Sequence, residues 1–256
     1  MNEPLSDRRP IWRRLFWPAA IVAVGLLVVP LDLPVARWFH DPDPVAKAND
    51  GPHCPNGVKR CLAFGETYAH GFGVACILLA VFALDPGRRI LLPRVAATTF
   101  GGGLLADLMK LLVARTRPHD FNLAGSITDT FGPLFPLGKL ASGEQGFPSA
   151  HMATAFGLTA ALIWLYPRGR WLFPMFAILA GCQRMSSESH FLSDVFWGAA
   201  AGCISASLFL PGGFLASWFD RLEAWLTKRV RGKFAVTPSS EFSNRSAEAR
   251  RARDAA

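Results

Sequence analysis

The feature that most constrains this chain is a series of long apolar runs, separated by short segments that hold most of the charge. They run from about Leu15 to Pro30, Tyr68 to Leu84, Ile90 to Val113, Ala150 to Tyr166, Trp171 to Cys182 and Phe191 to Leu210. A bilayer core takes about 20 mostly apolar residues per helix, so runs of this kind point to helices solvated by lipid. Composition agrees: 51% of residues are hydrophobic and mean hydropathy is +0.24, high for a soluble domain with so many arginines. The expectation is an all-α, polytopic membrane bundle of about six transmembrane helices over residues 1–214. A second segment, residues 215–256, should be an amphipathic cytoplasmic helix with a disordered basic tail.

The net charge of +8 and pI near 9.7 raise the question of nucleic acid, but the location of the charge argues against it. Basic residues gather at both termini (Arg8, Arg9, Arg13 and Arg14 at the first) and in the turns at Pro86–Arg89 and Pro167–Arg170. Membrane proteins place such segments in the cytoplasm, whereas a nucleic-acid reader carries a basic stripe on a polar fold. With six spans, residues 32–59, residues 114–147 and the link at Ser186 to Ser189 then face outward. A basic start before an apolar run also fits a secretory signal; with no small-x-small site at Leu31 to Arg37, a retained helix is favoured. Gly101, Gly102 and Gly103 would permit close helix packing. After Pro211, Leu215, Trp218, Phe219, Leu222, Trp225, Leu226 and Val230 recur at helical spacing among basic residues, as in a helix lying on a leaflet.

Cys76, Cys182 and Cys203 lie in apolar runs and read as packing residues. Cys54 and Cys61 could form a disulfide if their loop faces an oxidising compartment. No Cys or His spacing suggests a metal site.

Charges beside membrane helices are expensive, which singles out three clusters. In Lys110-Leu-Leu-Val-Ala-Arg-Thr-Arg117-Pro118, a helix would put Lys110 and Arg117 on one face about two turns apart, until Pro118 stops it. Two cations aimed at one spot suit a tetrahedral dianion; snorkelling basic residues are the plainer reading. In Phe147-Pro148-Ser149-Ala150-His151, Ser149 is a natural N-cap, and the N–H groups of Ala150 and His151 would point out of a helix start, where phosphate binds. His151 could deliver a proton near neutral pH. In Arg184-Met-Ser-Ser-Glu-Ser-His190-Phe-Leu-Ser-Asp194, a helix would set His190 and Asp194 one turn apart. The carboxylate would then hold one imidazole nitrogen and free the other for attack. A helix-end ion pair is the alternative, but it leaves unexplained why all three clusters share one inferred face.

The combined pattern, K-x6-R-P, P-S-A-H and R-x5-H-x3-D, resembles the type 2 phosphatidic acid phosphatase (PAP2) superfamily, which includes bacterial lipid phosphatases and vanadium haloperoxidases. The resemblance implies a PAP2/haloperoxidase-like helical core and metal-free, cofactor-free removal of phosphate from a lipid. His190 would become a phosphohistidine, oriented by Asp194, while His151 protonates the leaving oxygen. Lys110, Arg117, Arg184, Ser149 and the Ala150 N–H would hold the phosphoryl oxygens. Two positions depart from the usual pattern: Gln183 stands where Ser is common, and Ala150 where Gly is.

The expectation is therefore an integral enzyme of a bacterial-type inner membrane, its site facing the periplasm or exterior, with the bilayer and a lipid phosphate as partners. The substrate could be phosphatidate, phosphatidylglycerol phosphate, undecaprenyl pyrophosphate or a lipid A phosphate, with headgroup choice resting on the stretch from His119 to Gln145. Phosphotransfer at the same site, haloperoxidase chemistry, and a non-catalytic lipid-binding or transport protein are the alternatives. A transporter should carry mid-membrane charges in paired halves, and no repeat is visible here. Asp107, Glu66, His70 and Glu144 are not assigned to the site, and oligomeric state is not legible.

Overall fold

The computed structural model describes residues 11–40, 54–137 and 141–234. These form α1 (Ile11–Leu27), α2 (Asp32–Phe39), α3 (Asn56–Ala69), α4 (Gly71–Leu84), α5 (Leu92–Lys110), α6 (Ala150–Leu165), α7 (Leu172–Ser186), α8 (Leu192–Phe209) and α9 (Ala216–Phe234). An antiparallel ribbon of β1 (Val113–Arg115) and β2 (Phe131–Leu134) interrupts the otherwise helical chain between α5 and α6. Residues up to Phe219 belong to one compact unit, and Asp220 begins a second. The tail beyond Pro238, Arg8 and Arg9 lie outside the described residues, as does much of the segment before Cys54.

The span count differs from the expectation. Among the described residues only α8 is by itself long and apolar enough to cross a membrane. Two bent pairs would each qualify as one broken span: Leu15–Leu27 with Val29–Phe39, bent by 48°, and Asn56–Ala69 with Gly71–Leu84, bent by 62°. The candidates thus number between 1 and 3. Helix length is one reason. α6 has 16 residues and α7 has 15, and at 1.5 Å per residue each is shorter than a bilayer core of about 30 Å. α5 is longer but carries Arg94, Asp107 and Lys110. The second apolar run is not one helix, because His70 adopts an extended conformation between α3 and α4. Cys61 is an exposed free thiol on α3, so the bridge to Cys54 is not formed.

α6 is the central element, packed against α5, α7 and α8. Val74, Val95, Met152, Ala155, Leu158, Ala161, Ala177 and Ala180 make the core around it. The glycines of α5 act as anticipated. A Cβ on Gly102 would lie 2.6 Å from the Ala153 carbonyl oxygen, and one on Gly202 of α8 would lie 2.5 Å from the same atom. Both neighbouring backbones therefore close directly onto α6.

A buried ion network, which the sequence reading did not anticipate, ties β1, α2 and the start of α8 together. Arg115 on β1 donates to Asp194 at 2.5 Å, Asp32 at 2.7 Å, Ser193 at 2.8 Å and Thr130 at 3.3 Å. Arg115, Asp32 and Asp194 are all fully buried. The guanidinium also sits 4.5 Å from the ring centres of Phe131 and Phe191. Both carboxylates further satisfy the start of α8, Asp32 accepting from Ser193 N at 2.8 Å and Asp194 from Phe191 N at 2.8 Å. Replacing Arg115 by leucine would strand two buried carboxylates, a loss of about 3–5 kcal/mol. Thermal unfolding of purified Arg115→Leu in detergent should show a clear drop in Tm. A midpoint within about 2 °C of wild type would contradict this role.

Candidate active site

The start of α6 matches the sequence reading. Ser149 is the N-cap, fully buried, its Oγ accepting from Met152 N at 3.4 Å. The Ala150 and His151 N–H groups, first in the helix, have no acceptor within it. Ser149 N donates to the Asp194 carbonyl at 3.1 Å, which brings the second and third motifs together.

The first motif reaches the same place by a different route from the one anticipated. α5 ends at Lys110, the chain becomes β1, and Arg117 sits in extended conformation before a short 3-10 turn at Pro118–Asp120. Lys110 and Arg117 therefore do not share a helix face. What positions Arg117 is its N–H bond to the Gly143 carbonyl at 2.8 Å. Lys110, Arg117 and Arg184 nevertheless all act electrostatically on both His190 and His151.

The third motif also differs in detail. His190 precedes α8 rather than riding on it, so the one-turn relation to Asp194 does not hold. Asp194 caps α8 and pairs with Arg115. The bond expected from Asp194 is made instead by the Gly146 carbonyl, 2.7 Å from His190 Nδ1. A carbonyl only accepts, so Nδ1 carries the proton and Nε2 is the unprotonated nitrogen. No local pattern marks this contact, since Gly146 is 44 positions away.

The loop before His190 is fastened from several sides. Arg184, in the last turn of α7, donates to Ser187 Oγ at 3.1 Å. Glu188 holds φ at 54°, an uncommon conformation for a side-chain-bearing residue. His40 Nδ1 is 2.7 Å from the Glu188 carboxylate, and His119 donates to the Glu188 carbonyl from both N (3.1 Å) and Nδ1 (2.9 Å).

The unassigned polar residues divide. Glu66 accepts from Gln183 Nε2 at 3.1 Å and lies 3.6 Å from Arg184, so Gln183 helps hold a carboxylate beside a candidate phosphate-binding cation. Asp107 pairs with Lys110 at 2.8 Å. Glu144 caps its own turn by accepting from Ala141 N at 3.0 Å. The His70 ring centre lies 6.0 Å from that of His151. Arg117 Nε and Arg184 Nε are buried donors without a partner, as is the acceptor Gln183 Oε1. Two buried guanidinium donors beside Lys110 are suited to an anion with several oxygens. Among the described residues, no set of three His, Cys, Asp or Glu side chains is grouped to hold a metal ion.

Burial holds the His190 imidazole well below its ordinary range, and the charges of Arg117, Arg184 and Lys110 push it the same way. The bond to the Gly146 carbonyl offsets only part of this. The sign follows: in acid the unfolded chain takes up a proton that folded His190 refuses, so its contribution to stability falls as pH drops below the ordinary imidazole range. Histidine side-chain NMR, with the His190 signal assigned by its loss in His190→Ala, should show a ring still neutral at about pH 6. A ring titrating near the ordinary value of 6.5 would contradict the assignment.

Residues 91–217 match the sequence model of the PAP2 superfamily. A lipid A 1-phosphatase of Rhizobium etli is 33% identical over 141 residues, covering 55% of this chain and 52% of the relative. A protein of the same name from Rhizobium johnstonii is 32% identical over 141 residues, covering 55% and 50%. A lipid A 4'-phosphatase of Bacteroides thetaiotaomicron is 32% identical over 114 residues, covering 43% and 48%. The chain thus spans about half the length of these curated relatives. The crystal structure of Aquifex aeolicus LpxE has a TM-score of 0.46 at 19% identity, covering 69% of this chain and 92% of that one. With all three motifs inside the matched segment, the chain belongs to the PAP2 superfamily.

Proposed function

We propose that this chain is a membrane lipid phosphatase that hydrolyses a phosphate monoester through a phosphohistidine at His190. The observation that carries the reading is His190 itself: buried, its Nδ1 bonded to a backbone carbonyl, with three cations acting on it. In the first step His190 Nε2 attacks phosphorus, and the bond to the leaving oxygen breaks as His151 donates its proton there. In the second step His151 takes a proton from water, which attacks the phosphohistidine and releases inorganic phosphate. Lys110, Arg117, Arg184 and the N–H groups at the start of α6 neutralise the transferring group, the main demand of phosphoryl transfer. Asp194 acts at one remove, by holding α8 and Arg115 in place. The reading requires no metal ion or cofactor.

The names of the Rhizobium and Bacteroides relatives favour a lipid A phosphate among the possible substrates. We place the chain in a bacterial-type inner membrane with six apolar segments crossing or entering it and the motifs on the outer face. The bent pairs and the short α6 and α7 would then be broken or tilted spans. The placement of all three motifs at the C-terminal ends of α5 and α7 and the starts of α6 and α8 supports this arrangement.

Purified full-length protein with a chelator present should release phosphate from lipid A 1-phosphate, whereas His190→Ala should lose about 1,000-fold or more. Equal release by the two proteins would sink the reading. Sidedness is tested by placing a cysteine at Thr128, within the outer stretch, in spheroplasts. Labelling by a membrane-impermeant maleimide is expected, and protection that ends only on lysis would reverse the topology.

A further inference from the structure

The ribbon that carries Arg115 continues into a segment of unusual composition. Residues 131–137 read Phe-Gly-Pro-Leu-Phe-Pro-Leu, with no charged or hydrogen-bonding side chain. All four residues of β2 are exposed. So are Phe135 and Leu137 beyond it, by 64% and 70%. A continuous apolar segment on the surface calls for an apolar partner.

The path of the chain says where that partner lies. β1 carries the chain away from the end of α5, and β2 brings it back, Phe131 pairing with Arg115 and Leu134 with Val113. Phe135 N then donates to the Leu112 carbonyl at 2.8 Å, and Leu137 N to the Leu111 carbonyl at 3.2 Å. By Leu137 the chain is again beside the end of α5. The exposed apolar side chains of that helix, Phe100, Leu104 and Leu108, recur at helical spacing and are continued by Leu111 and Leu112. Segment and stripe therefore meet end to end.

The local chemistry suits a solvent that offers no hydrogen bonds. The two returning N–H groups occupy carbonyls just past the helix end, where a helix leaves such groups open. Pro133 and Pro136 have no N–H to leave bare. Phe135 and Leu137 hold φ at 58° and 50°, a left-handed conformation that is costly for bulky residues. Glycine would make the same turns with less strain, so what these two residues add is exposed apolar surface. A protein partner fits less well. The prolines interrupt the donor edge that an added strand would need, and protein interfaces carry a polar rim that this segment lacks.

Resting on the membrane placement proposed above, we infer that residues 131–137 form a re-entrant strap seated among the acyl chains of the outer leaflet. The strap extends the lipid-facing flank of α5 and anchors the ribbon that carries Arg115 to the bilayer.

The experiment uses full-length protein with its five cysteines changed to alanine and cooperative unfolding retained. A nitroxide would be attached to Leu108→Cys, Thr128→Cys, Phe135→Cys or Leu137→Cys, each reconstituted into vesicles of phosphatidylcholine and phosphatidylglycerol. Collision with oxygen, set against collision with a water-soluble nickel chelate, reads the depth of each label. Labels at Phe135 and Leu137 should lie about 5–10 Å below the lipid phosphates, with Leu108 also in lipid and Thr128 in water. Two strap positions keep the test decisive if one variant fails to fold. Strap labels in water with Leu108 in lipid would overturn the inference while leaving the membrane placement intact. Strap labels shielded from oxygen and nickel alike, as in a protein interface, would also overturn it. Leu108 and both strap labels in water would overturn the inference and the membrane placement together.

Discussion

Arg115 is the interaction around which the motif-bearing end of this protein is organised. One guanidinium faces two carboxylates, all fully buried, so the acids outnumber their base. The excess is met by the start of α8, whose N–H groups at Phe191 and Ser193 are bonded to the same carboxylates. A helix N-terminus carries partial positive charge, so the fourth partner in this network is a backbone dipole. The arrangement couples β1, α2 and α8 in one electrostatic unit. His190 is the residue immediately before the first N–H in that unit, and its backbone position is set there.

The site's cations are held by a second layer of opposite charge. Lys110 is met by Asp107 and Arg184 by Glu66, each through a carboxylate that is partly open to solvent. Such pairs keep long basic side chains pointed inward without the large desolvation penalty of a fully buried ion. In the proposed reaction, an arriving phosphate dianion would compete with acceptors already in place and inherit donors already aimed. Gln183 extends this layer by bonding the far oxygen of Glu66, which gives the departure from the usual serine a physical role.

Much of this was legible in the sequence where the signal is local. Ser149 before an apolar run gives α6 its start, and α8 is close to the run from Phe191 to Leu210. The spacing arguments for Lys110 with Arg117 and for His190 with Asp194 do not hold as made. Each assumed an unbroken helix, whereas β1 intervenes in one case and a capped loop in the other. Arg115 and Asp32, 83 positions apart, left only an indirect trace: an arginine ending Leu-Leu-Val-Ala and an aspartate between Pro30 and Pro34. Charges in such apolar settings need partners, and that requirement was the available clue. The count of six spans is not confirmed by the helices described, because apolar composition does not report helix length or bends, both of which tertiary packing decides.

The two glycines that close on the Ala153 carbonyl have a consequence for tolerance. Side chains at a helix interface are compliant, since rotamers adjust when a neighbour changes. Two Cβ-less contacts on a single backbone oxygen leave no such slack. They work as a fixed gauge between the helix that ends at Lys110, the helix that begins beside Ser149 and the helix anchored by Asp194. The spacing between those three ends is thus a property of backbone geometry. Drift in the exposed apolar residues can reshape the flanks of this protein without retuning the distances at its reactive end.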